Sequence, residues 1–168
     1  MGVIAMSRQD WRTPPWLFAM LDRMYGPFAM DAAASEENTL CSFFSADGLN
    51  DPWINPTFCN PPFRNFGDWM KKAHSEFSCR RVRSCLIGPV GCSQSWFHKY
   101  AQDVVVLAPT KRICFLLPDS TYPVGEKTGK PTGADRDTMI YLFGYRSVEH
   151  EREFVVMPLR VDESIEGP

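Results

Sequence analysis

The sequence predicts a single α/β domain whose sheet is built from parallel strands. Its 168 residues are 44% hydrophobic and 13% aromatic, which is enough apolar material for one core but hardly for two. Segments with helical spacing alternate with short apolar runs through the first two thirds of the chain, and this alternation is typical of parallel strands joined by helices. We predict a domain over residues 1–161 and a disordered acidic tail over residues 162–168.

The first predicted helix begins after Thr13, which is expected to be its N-cap because two prolines follow at the first helical positions. Apolar residues then recur at helical spacing, at Leu17, Phe18, Leu21 and Met24. Gly26 is expected to end the helix. The apolar run over residues 28–30 predicts a strand that ends at Asp31, where small residues replace large ones.

A second strand is predicted over residues 57–59, and it ends at the tetrapeptide Asn60-Pro61-Pro62-Phe63. Asn65 and Asp68 suit the start of a helix, and Ser93 suits the cap of another that runs to about residue 102. Apolar runs predict further strands over residues 82–90, 104–107, 113–117, 139–143 and 154–157. Residues 118–136 form a long predicted loop that is either a surface insertion or a segment in contact with the substrate.

The charge of the chain limits how it could bind a nucleic acid. The net charge of −2 gives no overall basic signal, so a nucleic acid would have to bind a local patch. The densest basic segment, residues 71–83, is either a solvated helix face or a phosphate contact.

The six cysteines form no C-x-x-C pair and lie near no histidines at the spacing of a zinc site, so we expect no metal site. The apolar run over residues 2–6 is too short for a signal peptide or a membrane span, which predicts an intracellular protein.

The tetrapeptide Asn60-Pro61-Pro62-Phe63 is the most informative part of the sequence. Two prolines fix the backbone and remove two amide donors, which leaves a rigid group of acceptors. The Asn60 side-chain oxygen and the Pro61 carbonyl can accept hydrogen bonds from a planar amino group, and the Phe63 ring can stack on the attached base. Holding the amine in this way frees its lone pair toward an electrophile such as a methyl group on a positively charged sulfur.

Several motifs together resemble the phage-type DNA N6-adenine methyltransferase (Dam) family. They are Trp11-Arg12-Thr13-Pro14, Phe28-Ala29-Met30-Asp31-Ala32-Ala33, Asp47-Gly48-Leu49, Trp53, Cys59-Asn60-Pro61-Pro62-Phe63, Trp96-Phe97 and Arg112-Ile113-Cys114-Phe115. The resemblance implies a Rossmann-like, S-adenosylmethionine-dependent methyltransferase fold. It places Asn60, Pro61, Pro62 and Phe63 in the catalytic site.

The resemblance also implies a set of cofactor contacts. Asp31 would face the amino group of S-adenosylmethionine, and Ala32 and Ala33 would let the backbone approach the ligand closely. This alanine turn departs from the glycine-rich turn of many methyltransferases. The remaining implied contacts are Trp11, Thr13 and Pro14, the last two near the cofactor carboxylate, and Asp47 near its ribose or adenine.

The implied activity is methylation of the N6 amine of adenine in double-stranded DNA, with the base flipped out of the helix. A phage- or prophage-encoded enzyme of this kind would act in the cytoplasm of a bacterial host, without a metal or a membrane. Two alternatives stay open. One is an amino methyltransferase that acts on RNA or on protein glutamine, and the other is a non-catalytic, cofactor-binding phage accessory protein.

Overall fold

Helices and strands alternate along the chain in the computed structural model, which describes residues 11–101, 104–125, 129–131, 136–145 and 155–159. The helices are α1 (Pro15–Tyr25), α2 (Phe66–Arg80) and α3 (Ser95–Tyr100), and one 3-10 turn spans Phe63–Asn65. The strands are β1 (Met30–Asp31), β2 (Phe43–Phe44), β3 (Thr57–Cys59), β4 (Ser84–Pro89), β5 (Val105–Pro109), β6 (Thr138–Phe143) and β7 (Val155–Leu159).

The strands form one sheet in the order β2-β1-β3-β4-β6-β5-β7. β1, β2, β3 and β4 run parallel, and β5 and β7 also pair in parallel. The expectation of parallel strands, made for the first two thirds of the chain, holds for β1 to β4, whereas β6 lies between β4 and β5 and is antiparallel to both. β6 starts at the edge of the sheet where β5 and β4 end, so it has to run in the opposite direction.

Two apolar layers cover the sheet. On one face Phe66, Trp69 and Met70 of α2 and Phe97 of α3 pack against Met30, Leu86 and Tyr141 of the strands. On the other face Leu17 and Leu21 of α1 pack against Phe58, Ile87 and Leu142. The result is a three-layer α/β/α arrangement, because each face of a parallel sheet needs a helical cover. It confirms the predicted Rossmann-like α/β fold.

The boundaries of several elements differ from the sequence-based expectations. Helix α1 begins one residue later than a Thr13 cap requires, because Pro14 occupies the N-cap position and no side chain caps the helix. Helix α3 follows Gln94 rather than Ser93. The expected strand over residues 28–30 is shorter and later in the structure, at Met30–Asp31.

The expected strand over residues 113–117 is wrong. Ile113 and Phe115 are buried, but in this segment only Leu116 makes a bridge, to Arg12. The apolar pattern of this segment arises because its side chains are buried on the face of the sheet that α1 covers. It does not indicate a strand of the sheet. The expected acidic tail, residues 162–168, lies outside the described residues.

No helix among the described residues is both long enough and apolar enough to span a bilayer.

Candidate cofactor and substrate site

A cavity of about 180 Å³ opens at the carboxyl ends of β1 and β3. The chain leaves β1 toward β2 on one side and later returns to β3 on the other, so this edge is the switch point at which open α/β sheets bind ligands. The cavity is lined by Trp11, Arg12, Thr13, Pro15, Asp31, Ala33, Glu37, Asn38, Thr39, Leu40, Asn60, Leu116 and Ser120. This volume is many times the roughly 10–15 Å³ that a cavity needs to hold one water molecule.

Asp31 is the buried acid of this cavity, with 4% of its surface exposed. Its carboxylate accepts two long hydrogen bonds of 3.4 Å, from the amides of Ala33 and Leu40. Burial raises the pKa of Asp31 to about 6, and the two amides offset this only in part. Within the described residues no ion pair involves Asp31. The carboxylate therefore favours a cationic ligand group that would restore its ionised form.

Asn60 follows β3, and its side chain has a defined orientation. Its Nδ2 donates a hydrogen bond of 3.3 Å to the backbone carbonyl of Trp11. A carbonyl can only accept, so the amide nitrogen has to face Trp11 and Oδ1 has to face away. Oδ1 accepts no hydrogen bond from the described residues. It is an acceptor available to a ligand beside the cavity.

The other residues of the tetrapeptide support Asn60 from outside the cavity lining. Pro61 is buried and Pro62 half-buried. The half-buried Phe63 ring meets Phe66 and Phe115 edge to face, with centroids 6.1 and 6.3 Å away. Phe115 in turn lies 6.5 Å from Trp11, which lines the cavity. The ring is thus held beside the cavity by its aromatic neighbours.

The structure brings together five of the residues expected at the site, namely Trp11, Thr13, Asp31, Ala33 and Asn60. Pro14 is buried at the start of α1, next to Pro15 of the lining. Ala32 is fully buried, and its amide donates to the Phe58 carbonyl in the sheet.

Asp47 is exposed and lies outside the lining, where it accepts hydrogen bonds of 3.0 Å from Asn50. The neighbouring Gly48 has a structural role. A Cβ at Gly48 would lie 1.8 Å from the Ala32 carbonyl oxygen, and the Gly48 carbonyl accepts a hydrogen bond of 2.7 Å from the Trp53 indole. These contacts explain the Asp47-Gly48-Leu49 and Trp53 motifs as packing around the end of β1.

Sequence reasoning missed the segment from Glu37 to Leu40 and the cavity residues Arg12, Leu116 and Ser120. A signal existed for the first group, because a segment that leaves a parallel strand has to cross the carboxyl edge before it turns back. No local signal marked Leu116, which reaches the cavity by pairing with Arg12 through bonds of 2.8 and 2.9 Å.

The cysteine thiols near the site are not activated as nucleophiles. Burial, together with the charges of Asp31 and Asp22, raises the pKa of Cys41 to about 12. Burial also raises the pKa of Cys59 well above its ordinary value. Both cysteines are therefore neutral near pH 7. Among the described residues, no group of three or more His, Cys, Asp or Glu side chains could hold a metal ion.

Comparison with known proteins agrees with this architecture. The family model described as DNA N-6-adenine-methyltransferase (Dam) matches residues 3–165. A DNA N-6-adenine-methyltransferase of Escherichia phage T1 is 30% identical over 106 residues, which cover 57% of this chain and 42% of that protein. The chain thus spans less than half of the length of this relative. Because the family model covers nearly the whole sequence, the chain belongs to the DNA N-6-adenine-methyltransferase (Dam) family.

Proposed function

We propose that this protein transfers a methyl group from S-adenosylmethionine to the N6 amine of adenine in double-stranded DNA. The observation that carries the proposal is that Asp31 and Asn60, at the ends of neighbouring parallel strands, line the same cavity. Membership of the family supports DNA adenine as the substrate. The phage relative supports action in the cytoplasm of a bacterial host.

The chemistry of the lining fits the cofactor. A buried carboxylate without a cationic partner among the described residues is suited to the ammonium of S-adenosylmethionine. Ala33 lines the cavity, and its small side chain would let a ligand approach the backbone closely. Trp11 and Thr13 complete the proposed cofactor contacts. When bound, S-adenosylmethionine supplies a methyl group on a positively charged sulfur.

The residues after β3 act on the amine. Asn60 Oδ1 and the Pro61 carbonyl accept hydrogen bonds from the two N–H bonds, which turns the lone pair out of conjugation with the ring. The hydrogen bond to Trp11 fixes Asn60 before substrate arrives, so little reorganisation is needed. The amine nitrogen would bond to the methyl carbon as the bond between that carbon and sulfur breaks, which leaves S-adenosylhomocysteine, and the nitrogen would then release one proton to water. The mechanism uses no general base.

Phe63 receives the base. An adenine inside a duplex keeps its amine in the groove, so the base has to leave the stack before it meets Asn60. Stacking on an aromatic ring is worth about 1 to 3 kcal/mol and offsets part of the unstacking cost. Phe66 and Phe115 hold the Phe63 ring from the side, so its orientation is set in advance.

A transfer assay with methyl-labelled cofactor tests the proposal. Purified full-length protein is incubated with duplex DNA, RNA and protein extract in parallel, and the DNA is digested to detect N6-methyladenine. We expect label in adenine of DNA alone, and none with Asn60→Ala. Label in RNA or in protein glutamine would replace DNA as the substrate, and cofactor binding without transfer to any acceptor would indicate an accessory protein.

A further inference from the structure

We infer that Arg12 binds the carboxylate of the methionine moiety of the cofactor, while Asp31 takes its ammonium. The inference rests on the proposed use of S-adenosylmethionine and adds how its amino-acid end is recognised. Both residues line the cavity, and they come from separate segments of the chain. A cavity with the buried acid Asp31 and the base Arg12 in its wall fits a zwitterionic α-amino acid group, and the second acid of the wall, Glu37, is exposed to solvent.

The backbone of Arg12 is fixed, whereas its guanidinium is available. Its amide and carbonyl pair with Leu116 through hydrogen bonds of 2.8 and 2.9 Å, so the residue has a defined place in the cavity wall. The side chain is half-buried and makes no hydrogen bond or close ion pair with the described residues. Its five N–H donors are therefore free to serve a ligand oxygen.

Two exposed acids lie within electrostatic reach of Arg12 but do not bind it directly. The Ser35 hydroxyl and, to a lesser extent, the charge of Arg12 lower the pKa of Glu37. Thr121 and, again to a lesser extent, Arg12 lower the pKa of Asp119. Solvent screening makes such exposed charge pairs weak. Glu37 and Asp119 therefore leave the guanidinium available for a ligand carboxylate.

The start of α1 offers an anion fewer free amides than a helix N-terminus usually does. A helix N-terminus normally offers free amides to an anion, and α1 begins at the cavity with Pro15 in its wall. Pro14 and Pro15 carry no N–H, and the amides of Leu17 and Phe18 already donate to the Pro14 carbonyl. Among the described residues of the lining, Arg12 is the cationic one, and Thr13 can add one hydroxyl.

Ligands that lack parts of the amino-acid end separate the two roles. Calorimetry on the full chain compares S-adenosylhomocysteine, its decarboxylated analogue, and 5′-methylthioadenosine, which lacks both the ammonium and the carboxylate. Arg12→Ala should weaken S-adenosylhomocysteine about 10- to 100-fold, as expected for the loss of charge-assisted hydrogen bonds. Its affinities for the other two ligands should stay unchanged. Arg12→Lys should restore part of the loss, because it keeps the charge without the planar fork.

Arg23→Ala is the matched control. It removes the same charge from the last turn of α1, about 12 Å along the helix axis from Pro15, and should bind all three ligands like wild type. Arg12→Gln provides a second variant that keeps the main-chain bridge to Leu116 and a long polar side chain.

Three results would overturn the inference. Unchanged S-adenosylhomocysteine affinity in Arg12→Ala and Arg12→Gln would remove the carboxylate contact. An equal loss for all three ligands, including 5′-methylthioadenosine, would make Arg12 a structural residue of the wall. A wild-type protein that binds no S-adenosylhomocysteine would overturn the inference together with the proposed cofactor, whereas the first two results leave the cofactor in place.

Discussion

The side-chain nitrogen of Asn60 donates a hydrogen bond of 3.3 Å to the main-chain carbonyl of Trp11. This contact joins the segment before α1 to the residue after β3 and fixes which end of the Asn60 amide faces a substrate. Asn60 therefore has two separable roles. Its Nδ2 donates to Trp11 and so fixes the side chain, and its Oδ1 is available to accept a hydrogen bond from the amine. Variants that remove one or both can distinguish them.

We expect Asn60→Ala to lower the single-turnover methylation rate about 100- to 1,000-fold, because an acceptor for the developing charge is lost. Cofactor affinity should change little. Asn60→Asp keeps an acceptor but loses the donor to Trp11, so its rate should lie between those of Asn60→Ala and wild type. Rapid-quench assays with saturating cofactor measure this, and a wild-type rate in Asn60→Ala would show that the tetrapeptide is a structural turn.

Phe63→Ala should impair capture of the flipped base, since it removes a stacking surface worth about 1 to 3 kcal/mol. Phe63→Tyr keeps the ring and should remain active. The fluorescence of 2-aminopurine at the target position reports flipping. Phe43→Ala, which removes a 58% exposed phenylalanine from β2, is the matched control. Normal flipping in Phe63→Ala would argue against the stacking role.

The contribution of Asp31 to the stability of the ligand-free protein should fall as pH rises from about 4 to 6. The pKa of Asp31 is raised by burial from 3.8 to about 6, so the folded state holds this proton more tightly than the unfolded state does. The stabilisation is complete below the lower value and is lost above the higher one. It is on the order of 3 kcal/mol for a shift of about two units. Urea unfolding of wild type and Asp31→Asn at several pH values measures it, and parallel curves would contradict the assignment.

Cofactor affinity should show the opposite trend. Only ionised Asp31 attracts an ammonium, and about one tenth of the groups are ionised one unit below the pKa. Binding of S-adenosylhomocysteine should therefore strengthen about tenfold between pH 5 and pH 7.5. Cys41 and Cys59 stay neutral over this range because burial raises the pKa of both thiols. Asp31→Asn should bind weakly with a flat pH profile, and a profile like that of wild type would exclude Asp31.

DNA affinity should decrease steeply with salt, through basic residues at the carboxyl edge of the sheet. Arg112 follows β5 and Arg136 precedes β6, so both lie at that edge. Arg81 follows the C-terminus of α2 at the opposite edge. Replacing Arg136 with alanine should lower the slope of log affinity against log salt by about one. Arg81→Ala is the control, and equal slopes for all variants would place the DNA elsewhere.

Much of the site could be predicted from the sequence because the change from apolar to polar residues marks where a strand ends. Asp31 and Asn60 both follow this rule, and parallel strands place such ends along one edge. Strand direction is less accessible. The apolar pattern of β6 predicts a strand but not its direction. Its antiparallel direction depends on the path of the chain before it. The Asp47 side chain was not found in the cavity because its motif serves the close approach of Gly48 to Ala32.

Two further features had no local signature. β2 consists of Phe43 and Phe44, which are both exposed, so no alternation of buried and exposed residues distinguishes it from a loop. Residues 113–117 show the reverse case, since burial produces the apolar pattern of a strand without sheet pairing. In both cases tertiary packing decides the structure and local propensity does not.

The order of strands in the sheet also bears on how the protein folds. Met30 of β1 pairs with Thr57 of β3, whereas Ser84 of β4 pairs with Phe143 of β6, at roughly twice the separation along the chain. Each doubling of a loop costs only about 0.6 kcal/mol of closure entropy, but long-range pairing slows folding. The β1–β3 pairing, which lies at the site, can therefore form through a shorter loop than the β4–β6 pairing on the other side of the sheet. Folding kinetics of Ile140→Val in β6 and Met30→Leu in β1 would show which pairing limits the rate.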